Sequence, residues 1–192
     1  KPGVSQHTGI TMDANGIITI APGTPAGTYT YPYTICEKLN PTNCDTATAT
    51  VVVTAAIIDA ADDTPTPING YVGGSTVSVL DNDELNGKKV DLTEVNFTPG
   101  KAPHTGITMD ADGIITIAPG TPAGTYKYEY TICEKLNPTN CDTANATVVV
   151  TAAIIDAADD TPTAINGYVG GRTPSVLDND ELNGKKVDLT EV

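Results

Sequence analysis

Gly124-Thr125-Tyr126-Lys127-Tyr128-Glu129-Tyr130-Thr131-Ile132 alternates without a break. In an extended chain Tyr126, Tyr128, Tyr130 and Ile132 share one face, and Lys127, Glu129 and Thr131 take the other. That period of two predicts a half-buried β-strand. Downstream, Thr143 to Thr151 reads as the last strand of the same unit, with Val148 and Val150 on one face. Upstream, Ile107-Thr108-Met109 and Ile114-Ile115-Thr116-Ile117 flank Asp110-Ala111-Asp112-Gly113. The turn residues suit positive φ and side-chain-to-backbone bonds, so this segment reads as a hairpin. Pro119 to Gly124 is the loop between the hairpin and the tyrosine strand.

Further upstream, Thr76-Val77-Ser78-Val79-Leu80 reads as a strand that Asp81-Asn82-Asp83-Glu84 ends. Gly73-Gly74 and Asn86-Gly87 read as turns, the latter of the tight hairpin kind. Val90 to Phe97 alternates with one phase slip, which suggests a bulge. Thr64 to Gly70 is an extended edge segment, where its prolines are tolerated. No stretch carries a helical period of useful length. About seven short strands separated by regular turns predict an all-β fold, an immunoglobulin-like (cadherin-like) β-sandwich, with a small barrel as the competing architecture. Gly124-Thr125-Tyr126 has the spacing of the tyrosine corner of such sandwiches, although Pro122 stands where their usual Asp would be. The inter-sheet disulfide and core Trp of antibody domains are absent.

The same reading applies twice, because the chain repeats with a period of 97 residues. His7 matches His104, Cys36 matches Cys133 and Asp81 matches Asp178. Aligning residues 1–95 with 98–192 leaves eleven differences and 84 identities in 95 positions. The match predicts tandem units: 1–54 the second half of a repeat, 55–151 a complete sandwich, and 152–192 the first half of the next. It also predicts that the chain is a window from a longer array, its half-units with incomplete sheets or completed by a neighbouring chain. Ala55-Ala56-Ile57-Ile58-Asp59-Ala60-Ala61-Asp62-Asp63 and its unchanged copy from Ala152 to Asp160 mark the junctions. Without Gly, Pro or Ser they lack the composition of a flexible linker, so short, stiff joints are expected.

Composition narrows the function. The net charge is −14 with only ten Lys and Arg, which argues against nucleic acid as a partner. No apolar run approaches a membrane span, so no membrane insertion is expected. One phenylalanine and no tryptophan leave Ala, Val, Ile and Tyr to build the cores. No Ser/His/Asp arrangement, phosphate-binding glycine loop or zinc-protease motif is present, and His7 and His104 are one repeat position, so no enzyme is expected.

Each unit has one cysteine pair, Cys36 with Cys44 and Cys133 with Cys141, flanking Glu-Lys-Leu-Asn-Pro-Thr-Asn. Close spacing about a Pro/Asn turn predicts a local hairpin disulfide and an oxidising compartment. A zinc site would need more ligands than two Cys and a distant His, and redox pairs normally show C-x-x-C. Two acidic groups per unit form a candidate calcium set, since calcium takes clustered hard oxygens. They are Asp59, Asp62 and Asp63 with Asp81, Asn82 and Asp83, repeated as Asp156, Asp159, Asp160, Asp178, Asn179 and Asp180. The opposing reading is turn formation and a solvating acidic surface.

At VSVLDNDELNG, GITMDADGIITIAPGTPAGTY and YTICEKLNPTNCDTA the chain resembles the repeats of very large Bacteroidetes cell-surface adhesins, such as the flavobacterial gliding-motility adhesin. The resemblance implies export to the cell surface through the type IX route and a filament carrying adhesive contact during gliding. The Asp62-Asp63 and Leu80-Asp81-Asn82-Asp83 layout also resembles bacterial cadherin-like repeats, several of which bind calcium. The expected role is a stalk whose partners are neighbouring repeats of the same protein, with surfaces or polysaccharide met through other regions. Two rivals stand beside it: a self-assembling surface filament or layer, and a carbohydrate- or surface-binding module.

Overall fold

The computed structural model describes residues 1–192 and contains strands, one short 3-10 turn and no α-helix. The first half-unit holds β1 (Ile10–Met12), β2 (Ile18–Ile20), β3 (Gly27–Cys36) and β4 (Cys44–Val53). The central unit holds β5 (Ile58–Asp59), β6 (Ile68–Asn69), β7 (Gly74–Ser78), β8 (Glu84–Leu85), β9 (Lys88–Lys89) and β10 (Val95–Pro99). It continues with β11 (Ile107–Met109), β12 (Ile114–Ile117), β13 (Gly124–Glu134) and β14 (Cys141–Thr151). The last half-unit holds β15 (Ile155–Asp156), β16 (Glu181–Leu182) and β17 (Lys185–Lys186).

In the central unit one sheet has the order β10-β13-β14-β6, and the other has the order β11-β12-β7. All pairings are antiparallel except β6 with β14. The chain therefore crosses between these sheets at β6–β7, between β7 and β10, at β10–β11 and at β12–β13. That Greek-key path, with separate sheets rather than a closed ring, makes the unit an immunoglobulin-like sandwich and not a barrel. A small sheet, β5-β8-β9, completes the unit.

The core lies between the two sheets. Val79, Ile107, Ile115 and Ile117 from one side meet Tyr128, Tyr130, Ile132, Val148 and Val150 from the other. Each is removed from water, and burying one such side chain contributes about 1.5–3 kcal/mol. The alternation of the tyrosine strand holds: Tyr128, Tyr130 and Ile132 point inward and Tyr126 packs at the rim. The tyrosine corner closes as its spacing predicts. Tyr126 Oη donates to the Pro122 carbonyl at 3.0 Å, and Tyr29 Oη donates to the Pro25 carbonyl at 2.9 Å.

Two strand boundaries differ from the sequence reading. β7 stops at Ser78, and Val79–Asp81 form a 3-10 turn capped by Ser78 Oγ, which accepts from the Leu80 amide. A strand would send one of Val79 and Leu80 to solvent; the turn buries both. In the Val90–Phe97 run, the phase slip is a turn rather than a bulge. Asp91 accepts the Thr93 amide on its side chain and the Glu94 and Val95 amides on its carbonyl, so β10 starts only at Val95. Gly73, with φ 72°, does turn the chain, whereas Gly74 already opens β7.

Burial tracks the completeness of the unit. Ile132 is fully buried, yet its counterpart Ile35 is 66% exposed; Val79 is 2% exposed and its counterpart Val176 53%. The β3–β4 hairpin nevertheless keeps the register of β13–β14, Gly27 opposite Val53 as Gly124 is opposite Val150. Local strand pairing thus forms in both copies, while the inter-sheet core forms where both halves are present.

Candidate functional site

The acidic residues do not all go where the turn-like sequence suggests. Asp83 lies beneath the sheet, fully buried, and Tyr130 reaches it from β13. Tyr130 Oη stands within hydrogen-bonding distance of four oxygens: Asp83 Oδ1 and the Ala61 carbonyl at 3.0 Å, Asp63 Oδ2 at 3.1 Å and the Val79 carbonyl at 3.2 Å. A phenol supplies one hydrogen, and carbonyls supply none. With both carboxylates ionised, the four acceptors compete for the phenol's single hydrogen. A proton on either carboxyl adds the second hydrogen.

The electrostatics run the same way. Burial, only partly offset by the Tyr130 hydrogen bond, pushes Asp63 from 3.8 to about 6, with the charges of Asp83, Asp62 and Asp81 adding to the rise. Burial also raises Asp83, against the Ala61 amide and Tyr130 hydroxyl that stabilise its charge. Burial and the two carboxylates push the Tyr130 phenol up, so it stays a donor. Asp83 Oδ2 has no hydrogen-bond partner at all. Asn82, with its amide nitrogen turned toward acceptors, donates to the Val79 carbonyl at 3.0 Å and Asp63 Oδ1 at 3.2 Å.

The other predicted ligands are engaged elsewhere. Asp62 Oδ1 accepts the Asn145 amide at 2.8 Å, and Asp81 forms an exposed ion pair with Lys89 at 2.6 Å. Asp59 is exposed in β5. In the second copy, Asp178 pairs with Lys186 at 2.6 Å, Asp180 Oδ1 accepts the Ala158 amide at 2.9 Å, and Asn179 reaches the Ala158 and Asp159 carbonyls. Asp156 and Asp160 are exposed. Calcium asks for six to eight oxygens. No three acidic, histidine or cysteine side chains converge as a metal set in this arrangement.

The junction stretch is bound into the unit that follows it, with Ile58–Asp59 as that unit's first strand. Ala56 N donates to Glu134 Oε2, Ile57 N to Asn86 Oδ1, Ala60 N to Asp142 Oδ2 and Ala61 N to Asp83 Oδ1, at 2.8–3.2 Å. Asp63 then joins β14 through the Asn145 carbonyl and the Thr147 amide. Only Thr54 and Ala55 lie between the end of β4 and the first of these bonds.

Both cysteine pairs form the predicted local disulfides, Cys36–Cys44 and Cys133–Cys141, and no free thiol remains. The Cys133–Cys141 loop holds Glu134, which is 5% exposed, by Asn137 Nδ2 at 2.8 Å and Asn140 Nδ2 at 2.9 Å. Glu134 in turn receives the Ala56 amide, and Asn140 donates to the Ala56 carbonyl at 2.9 Å. The staple therefore shapes a clamp on the point where the chain enters the unit. Glu134, Asn140 and Tyr130 escaped the sequence reading as site residues. A phenol on the core face of a strand must find a partner, and that was the available signal for Tyr130.

Neighbouring units touch at their ends. Ala26 N donates to Asn137 Oδ1 at 2.7 Å across the first joint. Across the second, Asn69 Nδ2 donates to Asn183 Oδ1 and the Ala152 carbonyl at 3.3 Å each, and Tyr71 Oη donates to Glu191 Oε2 at 3.0 Å.

No protein-family model matches the chain, and no curated protein does. Among solved structures it is similar to the human desmocollin-1 ectodomain, at 9% identity over 88% of this chain and 36% of that one, TM-score 0.38. It is also similar to mouse cadherin-23 EC22–24, at 10% identity over 77% and 51%, TM-score 0.34. Extracellular domains 3–5 of Drosophila OTK give 13% identity over 76% and 47%, TM-score 0.36. The chain spans about half or less of the length of these structures. The fold assignment rests on the strand order above.

Proposed function

We propose that the chain is a structural stalk segment of a filamentous cell-surface adhesin, working outside the cell to hold an adhesive region away from the surface. The observation that carries this reading is the end-to-end succession of near-identical repeats, with a disulfide-stapled hairpin in the first half-unit and in the central sandwich. Disulfides of this kind persist in oxidising, extracellular settings. The resemblance to Bacteroidetes surface adhesins extends the proposal to gliding motility and to surfaces or polysaccharide as what the whole protein meets. Electron microscopy of the intact protein on cells tests it: thin beaded fibres are expected, and a two-dimensional lattice refutes the stalk.

A second reading has its own observation. Ile35 and Val176, whose counterparts are core residues, are more than half exposed. Residues 152–192 and 1–54 together correspond to nearly all of one unit, so two copies of this chain could complete each other head to tail. Sedimentation of the 192-residue chain decides: concentration-dependent growth supports self-assembly, and a monomer at all concentrations opposes it.

A further inference from the structure

The two joints are partial views of one contact. Shifting by the 97-residue period turns Asn183 into Asn86 and Glu191 into Glu94. At the first joint Asn86 and Glu94 share a groove with Pro22, Gly23 and Leu136. At the second joint their counterparts receive Asn69 and Tyr71. The donor ends also coincide. Within the central unit the Asn69–Tyr71 turn and the Pro119–Ala123 loop, counterpart of Pro22–Ala26, are neighbours, since the Gly120 amide donates to the Gly70 carbonyl at 2.8 Å. Each joint therefore brings the same end of one unit onto the same end of the next. The first joint has no counterpart of Asn69 and Tyr71 in the chain, and the second has none of Asn137.

We infer that a joint between two whole repeats makes all three contacts at once: tyrosine hydroxyl to glutamate, asparagine to asparagine, and loop amide to the asparagine of the stapled hairpin. The surface is an end-to-end seat whose partner is another copy of the same repeat. It stands whether or not the array is adhesive. Three features support it. The joint leaves Thr54 and Ala55 as the only unbonded link, so the units are already held at contact distance. Donor and acceptor residues are unchanged between copies. Tyr71 is half-buried, and its hydroxyl meets Glu191 Oε2 of the next unit at 3.0 Å. The seat is polar, and direct hydrogen bonds between repeats make its contacts.

NMR of the full chain tests the seat. In the unaltered protein the Tyr71 ring should show cross-relaxation with the Glu191 side chain, although 120 positions separate them. Glu191→Gln should shift the Tyr71 and Asn69 resonances and leave Ala26 and Tyr130 unmoved, which also shows that the central unit is still folded. Tyr71→Phe should let residues 152–192 tumble separately, seen as a shorter correlation time from 15N relaxation. Lys186→Ala, which breaks a pair within the last half-unit, should do none of this. Absence of the Tyr71–Glu191 contact, or unmoved Tyr71 and Asn69 signals in Glu191→Gln, would overturn the inference.

Discussion

Acid should stabilise the central unit, and Asp63 is the residue through which the effect can be read. Its carboxyl sits at about 6 in the folded chain against 3.8 in the open one. A raised carboxyl favours the folded state fully below the unfolded value and loses that advantage as pH climbs through the folded value. The window is therefore pH 3.8 to about 6, and the folded unit is penalised above it. At about 1.36 kcal/mol per pH unit the interval is worth at most ~3 kcal/mol. Solvent reaches part of the group and screens it, so we take about 1–2 kcal/mol. Asp83 acts in the same direction. The net charge of −14 also eases on acidification, so the wild-type slope alone proves little. Asp63→Asn isolates it. The amide nitrogen offers Tyr130 the hydrogen that a protonated carboxyl would, and the amide oxygen still accepts from Asn82. Urea unfolding followed by tyrosine fluorescence from pH 4 to 8 should show the variant more stable than wild type at pH 7.5, by about 1–2 kcal/mol, with the difference fading toward pH 4. Parallel pH curves for the two proteins, or a variant weaker than wild type at neutral pH, would refute the shared-proton account of the four-acceptor cluster.

Three further outcomes follow from the same contacts. Tyr130→Phe removes the only donor common to Asp63, Asp83 and two carbonyls, and should cost about 1–3 kcal/mol, more at pH 7.5 than at pH 5, by thermal unfolding at both values. Replacing Cys133 and Cys141 together by Ser opens a loop of sequence separation 8, for which chain entropy gives a loss of roughly 2–3 kcal/mol in urea unfolding. The same variant should speed amide exchange at Ala56, because the loop positions Glu134 and Asn140 on it. Adding or chelating calcium should leave the neutral-pH melting temperature unchanged, since Lys89 and the Asn145 amide hold two of the candidate ligands; a rise that Asp83→Asn abolishes would contradict this.

Much of the sandwich was legible because its signals are local. The alternation of Tyr126 to Ile132 survives folding since one face meets the opposite sheet and the other meets solvent. Asn86-Gly87 sets its turn through two positive φ values, 52° and 71°, that few other residues adopt. The cysteines close a short loop whatever the rest of the chain does. The misread parts are those where a tertiary demand overrides a local one. Val79-Leu80 has strand composition, yet two adjacent core residues cannot both face inward from a strand, so the chain turns. The Asp91 side chain captures an amide and breaks an alternation that the apolar residues alone would have sustained.

The acidic cluster shows how the fold separates residues that composition groups together. Asp81, Asn82 and Asp83 follow one another, but the turn separates their environments: Asp81 meets Lys89 in solvent, whereas Asp83 is sealed under Tyr130. Spacing in sequence predicted shared chemistry, and the sandwich divides it between surface and core. The reverse holds at the joints. Asn69 at the end of β6 and Tyr71, Asn183 and Glu191 in turns lie far apart in the chain, and only the stacking of repeats brings them together. In a tandem array, then, a residue's role depends on which copy sits next to it. Tyr71 and Tyr168 occupy one repeat position, and the hydroxyl of Tyr71 finds its acceptor, Glu191, in the following unit. Such a residue carries no local motif, because its partner is supplied one period away.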